Sequence, residues 1–265
     1  MTTPILILGA GRMGGALIEG WRRAEAFAPT DLILRDPHPG EVARAAQAAG
    51  AALNPPDATL AGAQTVLLAV KPQIWREAAA QIAPLISPQA VIVSIAAGVP
   101  ASAIAEAFGG RSVARVMPTT AVSLAKGAAS IFAPVPAARA AAQALFGPVA
   151  TCVELEDEDL MDAATAVSGS APAYLYAFIE ALEAAGEAQG LPRQAARQMV
   201  RATLIGAAAL LDQSGEEPAE LRRQVTSPGG TTEAALKLLI GEAGLGPLLA
   251  QAVDAAAARA RELGR

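Results

Sequence analysis

Two short stretches hold residues whose types and spacing can do chemistry. The first is Gly9-Ala10-Gly11-Arg12-Met13-Gly14, directly after the apolar run Ile5–Leu8. In that spacing the first glycine permits a tight turn and the second lets backbone approach a pyrophosphate. The third lets the following helix pack on the strand, so that the helix N-terminus faces the phosphates. The second stretch is Ser227-Pro228-Gly229-Gly230-Thr231-Thr232, followed at once by the apolar positions Ala234, Leu236, Leu238 and Leu239. Consecutive glycines expose successive N–H groups that can form an anion-binding nest, and three hydroxyls fall within six residues. No Lys, Arg or His lies between Arg223 and Lys237, yet backbone dipoles suffice for a small carboxylate. The same residues also suit ordinary capping, with Thr231 as the N-cap, and spacing leaves both readings open.

The scarce residues bound the chemistry. In 265 residues there is one Cys (Cys152), one His (His38) and three Lys (Lys71, Lys126, Lys237). A zinc site, or a Cys–His or Ser–His nucleophile, has almost nothing to be built from. An enzyme with this composition would leave the difficult step to a bound cofactor. A lone Cys excludes an internal disulfide and fits a reducing, cytoplasmic setting. The net charge of -5 argues against a nucleic-acid surface. The apolar runs are too short to span a bilayer.

The elements that must position these residues follow from periodicity. Strands are predicted at Ile5–Leu8, 31–36, 65–70, 91–99, 112–118 and 129–134, with a short one near Thr151–Val153. Helices are predicted from about Arg12, over Ile74–Ala83, Ala101–Phe108 and Ala137–Phe146. Alternation of this kind implies a mostly parallel, doubly wound sheet. Ligands of such sheets lie beyond the carboxyl ends of the strands. That singles out Asp36, 22 positions after Gly14, and its neighbour Arg35. An acid there bonds the ribose hydroxyl of NAD, and an Arg favours the 2′-phosphate of NADP; the sequence offers both. It also singles out Ala69-Val70-Lys71-Pro72, and Ala96-Ala97-Gly98, small enough for a flat ring to approach.

From the acidic segment 154–164 onward the pattern is helical only. Leu175, Phe178, Ile179 and Leu182 share one face of a helix, with Glu180, Glu183 and Glu187 on another. Arg193, Arg197 and Arg201 stack along the next and read as a solvated face. Ser170, ahead of Ala171 and Pro172, is a suitable N-cap. Excess apolar surface in this half suggests burial against a second copy. The expected architecture is an α/β, Rossmann-like dinucleotide-binding domain over 1–158 and an all-helical dimerisation and substrate domain over 159–265.

Seven motifs in order resemble the pyrroline-5-carboxylate reductase family: GAGRMGGA (9–16), AVKPQ (69–73), SIAAGV (94–99), RVMP (115–118), VSGSAPAY (167–174), QGLPRQ (189–194) and VTSPGGTT (225–232). The resemblance implies NAD(P)H-dependent formation of proline, an interlocked homodimer or larger homo-oligomer, and no metal. It places the coenzyme, NADP or NAD with NADPH slightly favoured, on Gly9, Gly11, Arg12, Met13, Gly14, Arg35, Asp36, Ala69, Val70, Lys71, Pro72, Ala96 and Ala97. It places the substrate carboxylate on Ser227, Gly229, Gly230 and Thr231, with Ser170 nearby and the catalytic Thr232 hydroxyl facing the ring nitrogen. Three departures stand out, the mildest being Ala171 where the family usually has Ser or Gly. Thr119-Thr120-Ala121 follows RVMP where the family usually has Asn-Thr-Pro, with Thr119 a candidate substitute for the Asn, and Asp36 replaces a small polar residue. The rivals are a reductase of a related cyclic imine, a hydroxyacid dehydrogenase whose acid–base group would be Lys237, and a redox-sensing NAD(P)-binding protein without turnover.

Overall fold

The computed structural model describes residues 2–263. The chain forms two compact units, one running to Gly169 and taking in the chain from Ala256, the other Ser170–Ala255.

The first unit is built on eight strands: β1 (Ile5–Leu8), β2 (Leu32–Arg35), β3 (Ala52–Leu53), β4 (Thr65–Leu68), β5 (Val91–Ser94), β6 (Val113–Pro118), β7 (Gly127–Phe132) and β8 (Ala150–Leu155). Their order across the sheet is β3-β2-β1-β4-β5-β6-β7-β8. All neighbours are parallel except β6 and β7, which run antiparallel. The order turns back on itself at β1 and β4, the place where a doubly wound sheet opens a crevice. The expected mostly parallel sheet is present, extended by a reversed edge and by a short β3. The sequence reading also passed over the helix α2 (Glu41–Ala48), whose single buried residue, Ala43, gives little apolar signal.

Both faces of the sheet are covered. Ile5 and Ile7 of β1 belong to one core with Trp21, Leu145 and Phe146, while Leu6 and Leu8 belong to a second with Trp75, Ile104 and Phe108. The near-continuous apolar strands follow from that double burial. The helices α1 (Arg12–Arg23) and α5 (Pro136–Phe146) serve the first core, and α3 (Trp75–Ile82) and α4 (Ala101–Ala107) the second. Trp21 donates its indole N–H to the Leu145 carbonyl at 2.7 Å. One residue earlier, Gly20 allows α1 close to the turn after β6: a Cβ there would lie 2.1 Å from the Val122 carbonyl oxygen.

The chain continues through α6 (Leu160–Ala164) and one π-helical turn, Thr165–Gly169. The Thr165 and Ser168 hydroxyls donate back to the Met161 and Ala164 carbonyls, at 2.7 and 2.8 Å, bonds that compete with regular helix. Part of the expected acidic linker is therefore β8 and α6.

The second unit holds α7 (Ala171–Ala188), α8 (Arg193–Ser214), α9 (Pro218–Gln224), α10 (Thr231–Leu239) and the start of α11 (Leu245–Leu263). The arginine row of α8, read from sequence as a solvated face, is a ladder to α7: Glu183 meets Arg201 at 2.8 Å and Arg197 at 3.6 Å, and Glu187 meets Arg193 at 3.8 Å. Ala196 is buried in this hairpin, beside Gly186. The large apolar side chains are not: Leu238 is 80%, Ile205 70% and Leu248 62% exposed in the single chain. Among the described residues no helix is long and apolar enough to cross a membrane.

The close approach at Gly20 makes a prediction. Gly20→Ala should cost about 1–3 kcal/mol by overpacking, read as a lowered thermal midpoint. Gly62→Ala, where a Cβ meets nothing within 4 Å, should change stability by less than about 0.5 kcal/mol.

Candidate active site

At the carboxyl end of β1 the chain turns at Gly9, with φ +92°. A Cβ at Gly9 would lie 2.9 Å from the Ala69 carbonyl oxygen, and one at Gly14 only 2.1 Å from the Gly9 oxygen. At Gly11 a Cβ would meet nothing within 4 Å. Two of the three glycines thus serve packing, and the middle one faces open space. That division fits a dinucleotide, whose pyrophosphate needs backbone without a Cβ in its way. Arg12 is exposed in the first turn of α1, with Met13 half-buried beside it.

The turn is held from the end of β2. The Gly9 N–H donates to the Arg35 carbonyl at 3.0 Å, and the Ala10 N–H donates to Asp36 Oδ2 at 2.7 Å. The other carboxylate oxygen of Asp36 accepts the His38 N–H at 2.8 Å, and the residue is 8% exposed. Asp36 thus braces the glycine turn, a role the sequence reading did not give it. Asn54 exchanges two hydrogen bonds with the Asp36 backbone, at 3.0 and 2.8 Å. Arg35 turns the other way, its guanidinium paired with Asp57. Neither Asn54 nor Asp57 was singled out from sequence, since their partners lie 18 and 22 residues away.

The other strand ends complete the first unit's crevice. Beyond β4, Ala69 and Val70 are half-buried, Lys71 is exposed, and Pro72 opens a 3₁₀ turn over Pro72–Ile74. Beyond β5, the Ser94 hydroxyl accepts the Ala96 N–H at 3.2 Å, and Gly98 turns with φ +73°. Ala96 is buried and Ala97 half-buried. The end of that loop is pinned by Glu158, whose Oε1 accepts the Ala101 N–H at 2.7 Å and pairs with Arg115 of β6 at 2.6 Å. Arg115 is 7% exposed, so this partner matters: a buried guanidinium without one is costly. The Thr119 hydroxyl accepts the Ala128 N–H at 3.0 Å, which commits that oxygen to β7. Burial and the neighbouring Glu154 push the Cys152 thiol up, so it stays a protonated, poor nucleophile at neutral pH.

In the second unit the serine–glycine loop joins α9 to α10. Gly229 turns with φ +70°, and the Gly230 N–H donates to the Ser227 carbonyl at 3.0 Å. The Gly229 N–H donates to the Glu233 carboxylate, which also meets Lys237 at 3.4 Å. The N-cap of α10 is Gly230, not the expected Thr231; glycine reaches the extended N-cap geometry at little cost. The Gly229 and Gly230 donors are therefore already taken. The N–H groups of Thr231, Thr232 and Glu233, in the first turn of α10, are those a helix leaves without internal partners. The donors without internal partners thus begin at Thr231, after the two glycines of the loop. Lys237, the acid–base group of the hydroxyacid rival, is an exposed helix residue paired to Glu233. Ser170 is half-buried and caps α7 without a side-chain hydrogen bond. Among the described residues the Tyr174 hydroxyl is buried without a partner, a donor the sequence reading did not consider.

The geometry separates the packing glycines, Gly9 and Gly14, from Gly11, which faces open space. Gly11→Ala should leave the thermal midpoint unchanged but weaken dinucleotide binding at least tenfold by calorimetry, whereas Gly14→Ala should lower both.

Comparison with known proteins finds a family match in each half of the chain. Residues 4–98 match the family described as NADP oxidoreductase coenzyme F420-dependent, and residues 158–263 match that described as pyrroline-5-carboxylate reductase dimerisation. The pyrroline-5-carboxylate reductase of Pseudomonas aeruginosa is 40% identical over 272 residues, covering 99% of this chain and 98% of its own. That of Synechocystis is 35% identical over the full length of both. Among solved structures, a pyrroline-5-carboxylate reductase from Coxiella burnetii superposes with TM-score 0.91 at 28% identity, covering all of both chains. The Plasmodium falciparum pyrroline carboxylate reductase with NADP bound gives 0.83 at 25%, covering 99% of this chain and 98% of its own. With a glycine turn built for a dinucleotide and full-length relatives above 30% identity, the chain belongs to the pyrroline-5-carboxylate reductase family.

Proposed function

We propose that this protein reduces 1-pyrroline-5-carboxylate to L-proline with NAD(P)H, the last step of proline biosynthesis. The observation that carries the reading is that one chain holds both a glycine turn open at Gly11 and a cation-free helix N-terminus at Thr231–Glu233. The substrate is a cyclic imine with one carboxylate, and these two features answer its two needs.

Bound nicotinamide supplies a hydride for the imine carbon. The chain's residues do the rest. Gly9 and Gly14 shape the turn, Gly11 admits the pyrophosphate, and Ala96 and Ala97 leave room for the flat ring. The α10 N-terminus, with its dipole and its N–H groups, holds the substrate carboxylate, with the Ser227 hydroxyl beside it. Thr232 faces the ring nitrogen and donates a hydrogen bond there, orienting the imine, while the proton the nitrogen gains comes from solvent water. No histidine, cysteine or metal is needed, in keeping with a chain so poor in them.

The protein works as a homodimer or a larger ring of dimers, in the cytoplasm. The exposed Leu238, Ile205 and Leu248 support this, because a helical unit with its apolar side chains in water lacks a core of its own. Sedimentation should find no stable monomer at micromolar concentration. The catalytic reading is tested by steady-state assay with pyrroline-5-carboxylate and its six-membered homologue, each with NADH and NADPH. The five-membered ring should be preferred. No coenzyme oxidation with any pair would overturn the assignment. Thr232→Val should lower kcat by about 10²-fold with the coenzyme KM unchanged, on the scale of positioned hydrogen-bond donors; near-normal turnover would remove Thr232 from catalysis.

A further inference from the structure

We propose that the Arg35–Asp57 ion pair sets coenzyme choice, with Asp57 attenuating selection of the 2′-phosphate. This rests on the coenzyme reading above and adds a residue to it. Asp36, the acid expected to repel a 2′-phosphate, is 8% exposed and gives one oxygen to the Ala10 N–H and the other to the His38 N–H. Its charge is spent on the glycine turn. Arg35 is the adjoining cation, and its carbonyl accepts the Gly9 N–H, so its backbone is fixed to that turn. At the carboxyl end of β2 an arginine is in the neighbourhood of the adenosine ribose.

The guanidinium carries its own anionic competitor. Arg35 Nη2 pairs with Asp57 Oδ1, Asp57 being 64% exposed and Arg35 27%. Among the described residues Arg35 Nε has no partner and Asp57 meets only Nη2, so most of the fork's donors are not engaged by Asp57. Exposed pairs of this kind are weak, and a phosphate is a strong, bidentate partner for arginine. A 2′-phosphate can therefore displace Asp57, but loses part of its advantage in doing so. Arg12 and His38 are also exposed at this end, but Arg35 is the cation with an acid already on it.

Binding of NADPH and NADH to the purified protein, by titration calorimetry without substrate, tests this. Asp57→Asn should tighten NADPH about fivefold, the scale of one exposed ion pair, and leave NADH within twofold. Arg35→Gln should weaken NADPH, and Asp57→Asn added to it should give no gain, since the effect requires the guanidinium. A gain persisting in the double variant, or an equal shift for both coenzymes, would overturn the proposal while leaving the coenzyme reading intact. Failure of the unaltered protein to bind either nucleotide would overturn both.

Discussion

The structure depends on a contact that only glycine permits. With a Cβ at Gly14 2.1 Å from the Gly9 carbonyl oxygen, α1 can reach the end of β1 at this distance only because Gly14 has no side chain. That approach aims the helix N-terminus across the carboxyl ends of the sheet and leaves Gly11 open above it. Everything else at this end braces the turn. Asp36 holds Ala10, Arg35 holds Gly9, and Asn54 holds Asp36. A dinucleotide site made this way uses backbone donors fixed in advance, so little reorganisation is left for binding.

The second unit has a turn fixed by the same means. Its loop keeps two N–H groups busy, on Ser227 and on Glu233, and so fixes the shape of the entry to α10. The donors beyond it belong to the first helical turn, where the peptide dipoles already favour an anion. Glu233 has a double relation to that site. It stabilises the turn at Gly229, and its charge is partly balanced by Lys237 at 3.4 Å. With Lys237 paired to Glu233, the groups left at this helix start to attract an anion are the first-turn N–H groups and the helix dipole.

Legibility from sequence tracked the range of the interactions. The glycine turn, the strands on either side of it and the helical second half could be read because each rests on local spacing or on period. The helix over Glu41–Ala48 could not, having one buried residue to mark it. The roles of Asp36 and Glu158 were hidden for another reason. Each acts through partners in distant segments, Ala10 for the first and Arg115 and Ala101 for the second. An acid at the end of β2 looks like a ribose ligand by position, and only the fold reveals which way its carboxylate turns. Likewise Thr231 read as the cap from its spacing, and only the structure shows the cap to be Gly230.

No amino-acid side chain gives up a hydride, so the reducing power comes from the coenzyme, and that is the central claim. Following the hydrogen tests it most directly. With NAD(P)H carrying deuterium on the transferred face of nicotinamide C4, and pyrroline-5-carboxylate as substrate, the account predicts proline with one deuterium at ring carbon 5, retained in ordinary water. Proline formed without the label, or with the label lost to solvent, would contradict direct hydride transfer and the account with it.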